Sequence, residues 1–292
     1  MVFLSEQKVK ELTIKANDIR QSIIKMLVEA GSGHTAGSLG MADIFTFFYF
    51  HILKHNPRDP FWPDRDIVVL SNGHICPVFY ATMAHAGYFP IEELQTLRKF
   101  GSRLQGHPHR EYLLFMETSS GPLGCGLSQA VGMALADRIP ARSAYSTAVA
   151  GGDKKEGRFI YCFMSDGELD EGNSWEAIML AGKNKLNNLI AIVDRNKIQL
   201  SGDTEKIMPL EPIADKWKAF GWNVLEVSGH DFSALNETVE EAKKNNGKPT
   251  VIIAHTIPGK GVKAWENDYK WHGKAPNKEE GEKALKELEA NK

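Results

Sequence analysis

Five short apolar runs recur along the sequence, within RDIVVLSNGH, RFIYCFMSD, NLIAIVD, WNVLEV and PTVIIAHT, and helical stretches alternate with them. Apolar runs of this length fit strands buried on both faces, and a helix between two such strands makes them parallel. RFIYCFMSD, a helix from Gly172 to Lys185 and NLIAIVD together read as one βαβ unit. No glycine, proline or serine linker long enough to separate domains interrupts the alternation. The pattern predicts one α/β domain over residues 1–292: a doubly wound, mostly parallel sheet with helices on both faces.

Apolar positions from Val9 to Leu27 fall at helical spacing, so a helix is expected from Ser5 to Ala30, stopping at Gly31. Beyond the loop GSGHTAGSLG, MADIFTFFYFHIL reads as a helix too apolar for a surface. Its aromatics Phe45, Phe47, Phe48, Tyr49 and Phe50 belong to the core or to a subunit contact. Further helices are expected from Pro77 to Ala86, Ile91 to Phe100 and Phe232 to Lys244. Ile139 to Gly157 reads as a loop insertion, and Asn277 to Lys292 as a charged helix or tail.

Lys plus Arg number 35 against 37 Asp plus Glu, which removes the electrostatic case for nucleic acid or an anionic membrane as partner. The most apolar stretch, Met41 to Leu53, contains Asp43 and is shorter than the ~20 residues of a membrane span. The amino terminus lacks a signal-peptide core, and Cys76, Cys125 and Cys162 form no CxxC pair. A reducing cytoplasm fits this usage.

The strongest chemical signal is Asp166-Gly167 at the end of one strand and Asn196, thirty positions on, past the end of the next. Ligands of open parallel sheets bind at the carboxyl ends of the strands. A carboxylate and an amide oxygen are hard donors suited to Mg2+ or Ca2+. Gly167 would let backbone approach a phosphate, and the helix beginning near Gly172 points its amino end there. Taken singly, each of these residues is also an ordinary turn residue. The tight turn Gly121-Pro122-Leu123-Gly124 offers amides to an anion, but its order is not the dinucleotide fingerprint.

SDGELDEGNSWEA followed by LNNLIAIVDRNKIQLSG resembles the thiamine diphosphate motif of transketolases, with Ser165 where the first glycine usually stands. GSGHTAGSLGMADI, LSNGHICPVFYA, FGSRLQGHP with SSGPLGCGLSQAVGMA, and WHGKAP match in the same order, spanning Ser5 to Pro276. The resemblance implies that thiamine diphosphate and Mg2+, or Ca2+, are bound. Asp166 and Asn196 would hold the metal by their side chains and Ile198 by its carbonyl. Gly167, Gly121, Leu123 and His74 would contact the cofactor, as would His34, His272 and Asn196. His34 and His272 would flank the reacting carbonyl and hydroxyl, and His107 would bind the ketose end. Imidazole suits such proton transfers near neutral pH. Glu171 would join a carboxylate network reaching the pyrimidine across a subunit interface; its other reading is a helix amino-terminal carboxylate. Glu168 and Asp170 match no family role and are expected to be solvated, or at most beside the cofactor. Lys260 is weighed between a substrate contact and a solvated lysine. His51, His55, His85, His109, His230 and His255 are expected on the surface or in caps.

Family members continue into a pyrimidine-binding domain, which carries the activating glutamate, and a third domain; neither is found here. Because the sequence opens at Met1 and closes in a charged tail, a two-chain enzyme is favoured over a truncated piece. Two copies of each chain are expected, acting on small anionic sugars. The implied activity is a transferase that moves a glycolaldehyde unit from a ketose to an aldose. A subunit of another thiamine diphosphate enzyme, a synthase or dehydrogenase, and a noncatalytic scaffold subunit are the alternatives.

Overall fold

In the computed structural model, which describes residues 3–138, 157–245 and 247–290, the five apolar runs form one parallel sheet. Its strands are β1 (Ile67–Leu70), β2 (Ile160–Ser165), β3 (Leu189–Arg195), β6 (Asn223–Ser228) and β7 (Thr250–His255), ordered β1-β2-β3-β7-β6. Every neighbouring pair is parallel, as the βαβ reading requires. Two short strands, β4 (Ile198–Gln199) and β5 (Gly202–Asp203), make an antiparallel hairpin directly after β3. The expected insertion lies almost wholly outside the described residues.

Alternation along the strands divides the core in two. Tyr161, Phe163, Ile190, Ile192, Ile252 and Ala254 face one way and pack with α1 (Glu6–Ala30), α2 (Ala36–Gly40), α3 (Ala42–Phe47) and α4 (Cys76–His85). Ile160, Cys162, Met164, Ala191, Val193 and Val251 face the other way. They pack with α5 (Cys125–Ala136) and α6 (Gly172–Lys183). A short α7 (Thr204–Ile207) leads to α8 (Ile213–Ala219), whose Ile213 and Trp217 join the second face. Residues from α9 (Phe232–Lys244) and α10 (Lys278–Ala290) join the first. Helices therefore cover both faces, and each buried Val, Ile, Leu or Phe contributes roughly 1.5–3 kcal/mol.

Ser5 caps α1 by accepting from the Lys8 amide at 3.2 Å, and Gly31, at φ 62°, ends it. The aromatic run is core: Phe45 stacks on Phe163 with centroids 4.8 Å apart, and Phe48 meets the same ring edge-on at 5.0 Å. That run is not one helix, because α3 passes into a π-helical turn over Phe48–Ile52.

A second departure follows α4. Where a helix was expected from Ile91 to Phe100, a 3-10 segment covers only Ile91–Thr96, and Arg98 sits at φ 60°. Thr96 Oγ1 bonds the Glu93 carbonyl at 2.8 Å and the Ser102 hydroxyl at 2.7 Å, and Arg98 N donates to Leu104 O at 2.9 Å. The turn thus takes the groups a helix would use. The charged end is a docked helix: Ala284 and Leu288 of α10 are buried, and Asn17 Nδ2 donates to Leu288 O at 2.8 Å. Among the described residues no helix is long and apolar enough to cross a membrane.

Candidate functional site

Because β1, β2 and β3 are adjacent and parallel, the segments that follow them emerge side by side. Asp166 and Asn196 stand there, with Ser165 and Asp194 paired in register just before them. Asp166 is fully buried. Its Oδ1 accepts from Gly167 N at 2.7 Å, and its Oδ2 from Lys197 N at 2.7 Å and Arg195 Nη1 at 2.9 Å. Burial nevertheless holds its carboxyl above the ordinary range, with the Arg195 and backbone bonds opposing.

Asn196 has a fixed amide. Its Nδ2 donates to Asp194 Oδ2 at 2.7 Å and its Oδ1 accepts from Ile198 N at 3.0 Å, so donor and acceptor cannot exchange without loss. Asp194 is held in turn by the Thr256 hydroxyl, and burial pushes its carboxyl up to about 7. Nothing in the sequence singles out Asp194 or Thr256, because an aspartate inside a strand carries no spacing signal. The same is true of Arg195. It is buried and also pairs with Glu205 at 2.6 Å and Glu211 at 2.8 Å, tying the strand end to the segment around α7.

The hairpin β4–β5 joins this corner to the histidines. A Cβ added at Gly167 would lie 3.1 Å from Gln199, and one at Gly273 would lie 2.8 Å from Leu200 and 3.8 Å from His34 Nε2. His34, His74 and His272 come from three separate loops yet form one cluster. Ring centroids are 4.9 Å apart for His34 and His74, 5.7 Å for His34 and His272, and 5.2 Å for His74 and His272. Thr35 Oγ1 donates to Lys274 O at 2.5 Å and so locks the His34 and His272 loops together. Lys274 lies 3.9 Å over the Trp271 ring and pairs with Glu280 of α10 at 2.6 Å.

Burial lowers all three histidines, with like charge adding to it for two of them. His34 falls to about 4, from burial first and then from the cations His272, Arg98 and His107; His74 falls well below 6.5; His272 falls through burial. They are neutral at pH 7. His107 is exposed, and its ring lies 3.8 Å from where a Gly121 Cβ would stand.

The glycine turn is pressed onto the same corner. A Cβ on Gly73 would lie 3.0 Å from Gly121 N, and one on Gly124, at φ 80°, would lie 2.0 Å from Asn173 Oδ1. Leu123 is half-buried, and among the described residues neither the Gly121 nor the Leu123 amide donates a hydrogen bond. Buried polar atoms without partners gather here: His34 Nδ1, His272 Nδ1, both side-chain amide atoms of Asn72, Ser120 Oγ and Asn173 Oδ1. Such groups are costly unless a polar ligand or water satisfies them.

Glu168 overturns the expectation of a solvated side chain, for it is fully buried. The 3-10 turn Gly167–Asp170 carries it beneath the glycine turn, where it accepts from Gly124 N at 2.6 Å, Ser165 N at 3.2 Å and the Ser71 hydroxyl. Burial pushes its carboxyl up to about 7 against the pull of these bonds. Asp170 and Glu171 point outward and are exposed; Asp170 accepts from Gln199 Nε2 at 2.8 Å. Glu171 occupies the cap position of α6, but its carboxylate takes no helix N–H. A run of acids past a strand end does not reveal which members turn inward.

Other histidines have structural partners. His230 Nδ1 meets Asp43 Oδ2 at 2.7 Å, and its Nε2 accepts from Ile257 N at 2.8 Å, while His51 bonds Asn236 and His55 bonds Tyr88. Asp43 also receives the buried Arg20 at 2.6 Å.

Comparison with known proteins places the chain in a family. The chain is 40% identical over 289 residues to a 6-deoxy-6-sulfo-D-fructose transketolase subunit of a Clostridium species, covering 98% of each. It is 40% identical to an apulose-4-phosphate transketolase subunit of Actinobacillus succinogenes, over 95% of this chain and 96% of the relative. A crystal structure of transketolase from Campylobacter jejuni superposes with a TM-score of 0.85 at 36% identity, covering 99% of this chain but 43% of that one. The chain thus spans under half the length of a full transketolase. The family described as transketolase, thiamine diphosphate binding domain, matches residues 12–291, and the chain belongs to it.

Proposed function

We propose that this chain is the metal- and diphosphate-binding subunit of a two-chain transketolase, moving a two-carbon ketol unit from an anionic ketose to an aldose. The observation that carries the reading is the convergence of His34, His74 and His272 beside the strand ends that bear Asp166 and Asn196.

The residues present fit the cofactor. Asp166 Oδ1 and Asn196 Oδ1 each accept one bond and keep a lone pair, and with the Ile198 carbonyl they form a hard-oxygen set. Among the described residues no three His, Cys, Asp or Glu side chains are grouped to hold an ion, so this set would share Mg2+, or Ca2+, with phosphate oxygens. Gly121, Leu123, Gly167 and His74 would face the diphosphate. Bound thiamine diphosphate supplies the electron sink that makes a two-carbon unit transferable.

Neutral His34 and His272 can each accept a proton from a sugar hydroxyl and return it, and their half-burial keeps the rings in the neutral form that does so. A proton on one opposes a proton on the other, so the pair favours single transfers. His107, exposed beside Gly121, would hold the ketose end. Glu171 is free to face a partner chain carrying the pyrimidine-binding and third domains. Relatives of this length are named subunits, which supports that partner, and two copies of each chain are the assembly we expect. Unpaired Cys76, Cys125 and Cys162 favour the cytoplasm.

Coexpression with the product of the adjacent gene tests the reading. Calorimetric titration of the complex should show thiamine diphosphate binding that requires Mg2+, and ketol transfer should emerge from a panel of sugar phosphates and sugar sulfonates. A complex that binds no thiamine diphosphate would refute it. His272→Ala should lower turnover far more than cofactor affinity; unchanged turnover removes His272 from the chemistry.

A further inference from the structure

We infer that Glu168 is the residue that positions the diphosphate-binding turn, acting together with Ser71. The inference rests on the proposed function, since it assigns the turn Gly121–Gly124 to the cofactor.

One carboxylate joins three segments. Its Oε1 receives Gly124 N at 2.6 Å and the hydroxyl of Ser71, which follows β1; its Oε2 receives Ser165 N at 3.2 Å, the last residue of β2. Ser71 Oγ accepts in turn from Gly126 N at 3.0 Å. Both ends of Gly124–Gly126, where the turn becomes α5, are therefore fastened to one buried carboxylate, directly at Gly124 and through Ser71 at Gly126. Steric fit seals the arrangement: a Cβ on Gly126 would lie 2.4 Å from the Ser71 Cβ.

The contacts also decide where an anion can sit. The amino end of α5 is a ready anion site, and Glu168 and Ser71 already occupy two of its amides, those of Gly124 and Gly126. Gly121 N and Leu123 N in the turn have no acceptor among the described residues, and neither do Cys125 N and Leu127 N in the first turn of α5, so these are the amides left to an anion. A negative carboxylate inside the turn would repel a diphosphate if it were exposed to it. Three donors and full burial instead keep the carboxylate from touching a ligand, so its contact with the turn is made through the backbone it holds.

The test compares the two-subunit complex with Glu168→Ala, Glu168→Gln and Ser71→Ala, titrated calorimetrically with thiamine diphosphate and, separately, with inorganic pyrophosphate, both at saturating Mg2+. Gln keeps an oxygen for Gly124 N and the Ser71 hydroxyl, while its Nε2 cannot accept from Ser165 N and faces that donor instead. Glu168→Ala should raise both Kd values tenfold or more, and Glu168→Gln should stay within about threefold. Ser71→Ala should weaken binding in the same sense, and adding it to Glu168→Ala should cost less than the product of the single effects. If Glu168→Ala does not assemble, the Ser71→Ala and Glu168→Gln comparison decides alone. Wild-type affinity retained in Glu168→Ala or in Ser71→Ala overturns the inference. A wild-type complex that binds neither ligand overturns the proposed function instead.

Discussion

The half-buried histidine cluster makes the cofactor-free chain acid-sensitive in a way that can be calculated for one residue. His34 titrates at about 4 in the folded chain, against 6.5 for a free imidazole. The folded state therefore prefers the neutral ring. Its stabilisation is fully present above pH 6.5 and is lost as pH falls from there toward 4, because the unfolded chain takes up the proton first. Between pH 7 and pH 5 the difference in proton binding removes about 2 kcal/mol, a ceiling because some of the ring still meets water. Urea unfolding of wild type and His34→Asn at pH 7, 6 and 5 measures it. The wild type should lose about 1–2 kcal/mol more than the variant over this interval. His34 and His74 oppose each other's protonation, so replacing His34 also eases that of His74, and this coupling widens the gap between the two profiles. Parallel profiles would mean that His34 is not held neutral by its surroundings, and the proton-transfer role would lose its physical basis.

Arg195→Met leaves Asp166 buried without its cation and should destabilise the chain by about 3–5 kcal/mol in chemical denaturation. Glu205 and Glu211 are more exposed and can rehydrate, so Mg2+ should restore some of the loss through Asp166; no response to Mg2+ would argue against a cation site at that carboxylate. Gly182→Ala in α6 would place a Cβ 1.9 Å from the Phe220 carbonyl oxygen and should cost about 1–3 kcal/mol. Gly132→Ala, with nothing within 4 Å, should stabilise α5 by about 0.4–1 kcal/mol; equal melting temperatures for the two variants would show that the packing at α6 is mistaken.

The paired polar network explains why the site tolerates so many buried charges. Asp166, Asp194, Glu168 and Arg195 are each almost wholly inaccessible, yet each has at least two hydrogen-bond partners. Charges buried in this way are stable only as a set, and truncating one leaves the others unpaired. The cluster at the strand ends therefore behaves as a preorganised platform in which the bonds that satisfy the buried groups also fix the directions of Asp166 and Asn196.

The sheet and its helical layers were legible in the sequence because burial on both faces demands continuous apolar runs, and five such runs alternating with helices leave little choice of fold. Asp166, Asn196 and the glycine turn were legible for a related reason: strand ends and tight turns impose residue types at fixed spacing. Tertiary structure decided what spacing cannot encode. His34, His74 and His272 are spread over most of the chain, and only the adjacency of three loops makes them one cluster with lowered pKa values. Glu168 and Asp170 are both acids two positions apart in one short turn, yet one is sealed under Gly124 and the other faces solvent. Direction of a side chain off a 3-10 turn depends on what packs above it, and that information lies in Ser71, Gly124 and Gly126, far away in sequence.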